Sequence, residues 1–200
     1  MKEKVNLCIF ISGGGSNAVE IIKYFKNNKY INVSCILSNN ILSGAEKIGR
    51  TFEIPYFIFS KEDWETQLPI EKILNEKSVD FIVLAGFLKL IPKSLIAKFP
   101  NKIINIHPSL LPKFGGKGMY GHHVHEAVKE ANEIESGITI HLVSEIYDEG
   151  PILFQKKCLL SKSDNPEIIA KKVLKLEHQY FSSVIEKYIL NDFKKISEIN

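Results

Sequence analysis

No stretch of the chain approaches the ~20 consecutive apolar residues that a membrane-spanning helix needs. The opening "MKEKVNLCIFISGGG" holds too short an apolar run for a secretory signal, and that run ends in glycines. The expectation is a cytoplasmic protein without a membrane partner. Cysteine is scarce: Cys8, Cys35 and Cys158 each sit inside an apolar run, and none is spaced as a metal ligand or redox pair. A disulfide-held scaffold is excluded, and the three read as buried thiols of a reducing compartment. An excess of one charge is missing too, since the net charge is +3 and the lysines are scattered singly or in short pairs. Nucleic-acid binding usually needs a concentrated basic face, so no nucleic-acid partner is expected. Repeats, low-complexity runs and clear linkers are absent as well.

What is present suits one globular domain. With 44% apolar and 24% charged residues over 200 positions, the chain can bury a sizeable core and stay soluble. Strand-like segments at 5–11, 31–37, 56–59, 81–84 and 102–106 are short, β-branched and apolar throughout. Helix-like segments at 16–26, 44–52, 64–76 and 94–99 alternate with them. Apolar strands alternating with helices predict a parallel sheet covered on both faces. Ser16 or Asn17 is the expected N-cap of the first helix. Beyond residue 107 the texture changes. "PSLLPKFGGKGMYG" is too long for a bare connector, and such loops are more often functional than idle. A short helix at 124–131 and strands at 137–144 and 152–160 follow, the strands flanking "EIYDEGP". A last amphipathic helix is expected over 166–190, with Ile169, Val173, Leu176, Tyr180, Val184 and Ile185 on one stripe. The predicted fold is α/β: a Rossmann-like open, mostly parallel sheet with helices on both faces, a C-terminal antiparallel strand pair and a long helix.

Two stretches carry chemistry. "ISGGGSNAVEII" contains Gly13, Gly15 and Ala18, the Ala-ended dinucleotide fingerprint. A glycine turn opening a helix offers bare N–H groups and a positive helix end to an anion. Binding NAD also needs an acidic residue after the second strand for the ribose hydroxyls. That strand ends "CILSNN", without a carboxylate. A single phosphate therefore fits better than NAD, and a tight structural turn is the remaining reading. In "KIINIHPSLLP", Asn105 and His107 lie two apart on a strand and share one face. Pro108 removes a ladder donor and ends the strand. An amide and an imidazole thus project from the carboxyl end of a strand, where open α/β sheets place ligands. The amide can stabilise a developing oxyanion and the imidazole can move a proton. A hydrogen-bonded structural pair is the other reading. Asp148 is the candidate to orient the imidazole, with Glu145 and Glu149 behind it.

The remaining histidines say less. His122, His123 and His125 cluster without a Cys or carboxylate completing a zinc pattern, which reads as a solvated helix start, and no metal is expected. His141 alternates with Thr139 and Val143 on one strand face, a supporting position. His178 follows Glu177 on the last helix.

Together these residues resemble the phosphoribosylglycinamide formyltransferases, a branch of the folate-dependent formyltransferases. The resemblance runs through "ISGGGSN", "VLAGFLKLIP" at 83–92, "INIHPSLLPKFGGKG" at 104–118, "SGITIHLVSEIYDEGPILFQ" at 136–155 and "LEHQYF" at 176–181. It implies a single domain over 1–200, with a mononucleotide-binding half to about 105 and a catalytic, folate-binding half from about 106. Carried over by position, it gives Gly15, Ser16 and Asn17 to the ribonucleotide phosphate and Glu177 to the ribose. It gives Leu88, Lys89, Leu90 and Ile91, largely through their backbone, and Ser144, Glu145, Ile146, Tyr147 and Asp148 to the folate, with Asn105. Asn105, His107 and Asp148 match the catalytic trio, and Thr139 and His141 stand behind it. The family often has Arg where this chain has Lys89. An Arg of the family that touches the folate tail has no assured counterpart in 60–75, and Leu174 replaces a polar substrate contact.

The implied reaction moves the formyl group of 10-formyltetrahydrofolate, a co-substrate, to the amine of 5′-phosphoribosylglycinamide, as in purine synthesis. Asn105 and protonated His107 would hold the oxyanion, and Asp148 would raise the His107 pKa and help pass the proton. Neither metal nor NAD is implied, and the chain would act as a monomer or homodimer. A 10-formyltetrahydrofolate hydrolase shares the trio but usually carries an N-terminal regulatory domain. A methionyl-tRNA formyltransferase normally adds a C-terminal domain. A chain that starts at strand one and stops at 200 sets the expectation against both. A non-catalytic mononucleotide-binding module would explain "GGGSN" and leave the trio without a task.

Overall fold

Among the described residues, seven strands form one sheet in the order β3-β2-β1-β4-β5-β6-β7. They are β1 (Val5–Ile11), β2 (Ile31–Ser38), β3 (Tyr56–Ile58), β4 (Phe81–Leu84), β5 (Ile103–His107), β6 (Glu135–Leu142) and β7 (Ile152–Leu159). The helices are α1 (Ser16–Phe25), α2 (Ala45–Phe52), α3 (Lys61–Thr66), α4 (Leu68–Glu76), α5 (Lys93–Lys98), α6 (His122–Glu130) and α7 (Pro166–Ser197). This computed structural model describes residues 4–197, and the side chains of residues 4–191. The chain divides into two compact units. One runs through Leu90 and takes in Ala97–Ile104; the other comprises Ile91–Ile96 and the chain from Asn105 onward.

In the first unit β1 pairs in parallel with β2 and β4, and β2 with β3. Leu7 through Ile11 are all fully buried, as expected for a strand covered on both faces. α1 turns Ala18, Ile21, Ile22 and Phe25 inward at helical spacing. Burial of each of Ile21, Ile22 and Phe25 contributes roughly 1.5–3 kcal/mol relative to exposure. The single helix expected over 64–76 is two helices. Gln67 (φ +61°) ends α3, donating its N–H to Asp63 O at 3.0 Å, and caps α4, whose first turn holds Pro69. Proline suits a first turn and disrupts a helix interior, so the chain restarts there. α3 itself opens on a capping box: Asp63 N–H donates to Ser60 Oγ at 3.1 Å and Ser60 N–H to Asp63 Oδ2 at 2.9 Å.

In the second unit β6 and β7 pair antiparallel, with Thr139 opposite Gln155 and a bulge between Ile140 and His141. α7 packs on β6, β7 and α6. Its buried stripe is Ile169, Val173, Glu177, Phe181, Ile185 and Ile189. Tyr180 is only half-buried and lies beside Phe154 at 5.2 Å, so Phe181 takes the core position expected of it. The helix also continues past 190 to Ser197.

Candidate functional site

The glycine loop belongs to the first unit. β1 ends at Ile11, and Ser12–Gly15 turn the chain into α1. Gly15 adopts φ +76°, and a Cβ there would stand 2.6 Å from Ile48 Cδ1. Only glycine meets both conditions without strain. Gly15 is also the N-cap, in place of the expected Ser16 or Asn17; Ser16 is exposed at the first helical position and Asn17 is buried. No side chain caps α1 and no acidic residue lies in its first turn. Among the described residues its positive end thus meets neither a side-chain cap nor a first-turn carboxylate. Gly13 and Gly14 face open space, with nothing within 4 Å of a Cβ.

Two neighbouring segments hold this loop. Gly44 donates its N–H to Gly13 O at 3.0 Å and sits so close to the Gly14 carbonyl that a Cβ would collide with it. Ser12 Oγ donates to Asn39 Oδ1 at 2.6 Å and accepts the Leu88 N–H at 2.9 Å. Asn40 Nδ2 donates to Ser12 O at 2.9 Å. The positions where NAD binding needs a carboxylate are thus amides engaged with Ser12. Leu88, Lys89 and Leu90 are exposed, and the Leu88 N–H is committed to Ser12. Ile91 is buried in the second unit. Asn39, Ser60, Lys61, Trp64 and Lys89 line a cavity of about 120 Å³ in the first unit, placing two lysines on one small space.

The second unit brings the trio together. His107 is 4% exposed. Its Nδ1 lies 3.5 Å from Asp148 Oδ2, and its Nε2 lies 2.8 Å from Phe114 O. A carbonyl only accepts, so Nε2 carries a hydrogen and Nδ1 is the nitrogen that titrates. His141 mirrors this arrangement. Nδ1 donates to Leu142 O at 2.8 Å, and Nε2 lies 3.0 Å from Asn105 Nδ2 and 3.5 Å from Asp148 Oδ1. A neutral His141 accepts from the Asn105 amide, while a charged one donates to Asp148. Each Asp148 oxygen therefore faces one histidine, and Gly116 N–H adds a bond to Oδ2 at 2.9 Å.

Charge follows from this packing. Burial pushes the Asp148 carboxyl up, but the bond from His141, the charge of His107 and the Gly116 N–H outweigh it and hold Asp148 below the usual carboxylate range. Burial pushes His107 down, and this outweighs the lift from Asp148 and from the Phe114 carbonyl. Asp148 thus acts on His107 in the expected direction without winning. The resting ring is lowered, not raised, because it is almost wholly out of water.

The other expected positions are less closely joined to this array. Thr139 is fully buried and donates to Ser109 O at 2.7 Å. Ser144 Oγ donates to Ile146 O at 2.9 Å, and Glu145 pairs with Lys93 at 2.6 Å on the surface, away from the role of imidazole partner. Ile146 and Tyr147 are exposed. Glu177 is buried on α7. His122 and His123 are exposed, whereas His125 is buried and its pKa falls to about 4. Among the described residues no group of three His, Cys, Asp or Glu side chains could hold a metal ion.

Residues 5–185 match the Formyl transferase family. The chain belongs to that family. Against the chloroplastic phosphoribosylglycinamide formyltransferase of Arabidopsis thaliana it is 41% identical over 185 residues, 90% of this chain and 63% of the relative. The corresponding protein of Vigna unguiculata is 42% identical, with 59% of its length covered, so this chain spans about three-fifths of the plant relatives. The phosphoribosylglycinamide formyltransferase of Bacillus subtilis is 34% identical, with 90% of this chain and 93% of the relative covered. The crystal structure of the Brucella melitensis phosphoribosylglycinamide formyltransferase superposes with a TM-score of 0.84 at 32% identity, covering 93% of this chain and 96% of that one.

In this formyl transferase chain, several site-forming residues escape a reading of the sequence. Gly44 and Ser12 hold the glycine loop, Lys61 joins Lys89, and Ser109 and Gln155 anchor the turn beside His107. The capping signature "SKED" locates the start of α3, but nothing local says that Lys61 meets Lys89.

Proposed function

We propose that this chain transfers the formyl group of 10-formyltetrahydrofolate to the amine of 5′-phosphoribosylglycinamide, giving the N-formyl product and tetrahydrofolate. The observation that carries this reading is the array of Asn105, His107, Asp148 and His141, in which each Asp148 oxygen faces one histidine and His141 also faces the Asn105 amide. The amine nitrogen attacks the formyl carbon, and the carbonyl oxygen becomes an oxyanion. The Asn105 amide donates to it. The proton lost by the amine passes to the Asp148–His107 pair and rests on Nδ1, so the imidazolium arises with the intermediate. Nε2 keeps its hydrogen and goes on donating it to the Phe114 carbonyl, and His107 therefore acts on the oxyanion through its charge. Collapse breaks the bond from the formyl carbon to N10 of the folate, and the pair returns the proton to that nitrogen. No electron changes hands, so the reaction calls for no nicotinamide.

Gly15, Ser16 and Asn17 bind the ribonucleotide phosphate at the end of α1, and Glu177 meets the ribose. Leu88, Lys89, Leu90 and Ile91, with Ser144–Asp148, bind the folate. Lys61 and Lys89 attract the carboxylates of its tail. Free thiols at Cys8 and Cys35, with Sγ atoms 3.3 Å apart, suit a reducing compartment such as the cytoplasm. Among the described residues no helix is long and apolar enough to cross a membrane. The test is folate release measured with and without the ribonucleotide. Release only with it supports transfer, whereas equal release without it makes the chain a hydrolase.

A further inference from the structure

Ser109 belongs to the "HPSLLP" motif, yet no step above uses it. It is fully buried. Its hydroxyl donates to Lys113 O at 2.7 Å and also reaches Phe114 O at 3.5 Å. Its own carbonyl accepts a hydrogen bond from the Thr139 hydroxyl at 2.7 Å. The Thr139 oxygen in turn accepts Leu111 N–H at 3.0 Å and Gln155 Nε2 at 2.9 Å, which fills both lone pairs. Gln155 Nε2 also reaches Leu111 O at 2.9 Å. The turn from Ser109 to Lys113 is thereby tied at three points to β6 and β7. It delivers Phe114 in a left-handed conformation (φ +55°), one that a non-glycine residue adopts only when its surroundings impose it. The result of that strain is a carbonyl aimed at His107 Nε2.

We propose that Ser109, acting through the Phe114 carbonyl, is a positioning residue that decides which nitrogen of His107 exchanges its proton. The proposal rests on the reading of His107 as a catalytic group. A neutral imidazole has one hydrogen and two acceptors to choose between, Phe114 O at 2.8 Å and Asp148 Oδ2 at 3.5 Å. With the turn closed by Ser109 on Lys113 O, the nearer carbonyl wins, and the Nδ1 lone pair is left facing a carboxylate. That confrontation makes Nδ1 a better base than it would otherwise be. The Phe114 carbonyl accordingly raises the His107 pKa against the burial that lowers it. Without the tether the hydrogen moves to Nδ1, where the carboxylate is the stronger acceptor, and the ring loses its readiness to take the amine's proton. The titratable groups around His107 are Asp148, His141 on β6 and His125 on α6.

The test is the side-chain nitrogen spectrum of His107 in the full chain labelled with ¹⁵N-histidine, read where the ring is neutral, beside the pH profile of kcat. The wild type is expected to show hydrogen on Nε2. Ser109→Ala is expected to move it to Nδ1, shift the acid limb of kcat to lower pH and reduce kcat about tenfold. Gln155→Ala, which removes an outer anchor of the same turn, is expected to shift both readouts the same way by less. A wild-type ring carrying its hydrogen on Nδ1 overturns the proposal. So does an unchanged tautomer and acid limb in both variants, whatever their melting temperatures. The spectrum needs no substrate, so failed formyl transfer by the wild type overturns the proposed reaction and leaves the tautomer result standing.

Discussion

His107 Nδ1 and Asp148 Oδ2 lie 3.5 Å apart, with side chains only 5% and 11% exposed. At that separation and burial the carboxylate is a strong influence on the ring, yet it does not overcome desolvation. The base form of His107 therefore prevails at neutral pH, and kcat/KM should rise with pH along a limb lying below about 6.5. Asp148→Asn removes the upward pull, so this limb should move to lower pH while kcat falls roughly 10²–10³-fold. A pH profile of the purified variant checks both. A limb that moves upward would contradict the electrostatics.

The same carboxylate contributes to stability. Its folded pKa is depressed, so the contribution is present above the unfolded value of about 3.9 and is lost as pH falls through the folded value. Urea melts at neutral pH and near pH 3 should show Asp148→Asn less stable than the wild type in the first case, with the difference shrinking in the second.

His125 titrates with the opposite consequence. Its pKa falls from 6.5 to about 4 because burial disfavours the charged ring, with the charges of His122 and His107 adding to this. The unfolded chain binds that proton first, so stability is lost as pH falls from about 6.5 to about 4, and no loss from this group occurs above that window. His125→Leu should flatten the acid side of the stability curve across that window. Denaturant midpoints at half-unit pH steps would show it.

Gly44 offers a probe of the glycine loop that touches none of the proposed contacts. A Cβ on Gly44 would collide with the Gly14 carbonyl oxygen, so Gly44→Ala must push the loop outward. The expected outcome is a KM for the ribonucleotide raised about tenfold or more, with the folate KM nearly unchanged. Steady-state kinetics with each substrate varied in turn decide this, and equal increases in both would detach Gly44 from the phosphate.

Lys61→Ala and Lys89→Ala should each raise the KM for a folate with a carboxylate tail several-fold. Because both side chains are solvent-exposed, added salt should weaken the wild type toward the variants. A folate lacking the tail carboxylates should not distinguish them.

Much of this molecule can be read from its residues because the signals are local. β1 coincides with the run from Val5 to Ile11, apolar at every position but Asn6, since a parallel strand buried on both faces reads as a nearly continuous apolar run. Asn105 and His107 share a face through the two-residue period of a strand; Asp148 stands out beside Glu145 and Glu149 as the carboxylate to orient the imidazole, and the resemblance gives it to the catalytic trio. The break at Gln67 is less visible, because apolar spacing continues through it and a glutamine gives no sign of a positive φ. The roles of Ser109 and Gln155 are invisible for another reason. They depend on β6 and β7 pairing Thr139 with Gln155, a long-range register that no short stretch contains.

The most direct measurement follows a labelled formyl carbon from 10-formyltetrahydrofolate to its acceptor, in the wild type and in Asn105→Ala and His107→Ala. The wild type should place the label on the ribonucleotide amine and release tetrahydrofolate only when the ribonucleotide is present. Each variant should remain folded and transfer roughly 10²–10³-fold more slowly. Label appearing as formate at the same rate without ribonucleotide, or near-wild-type transfer by both variants, would contradict the account.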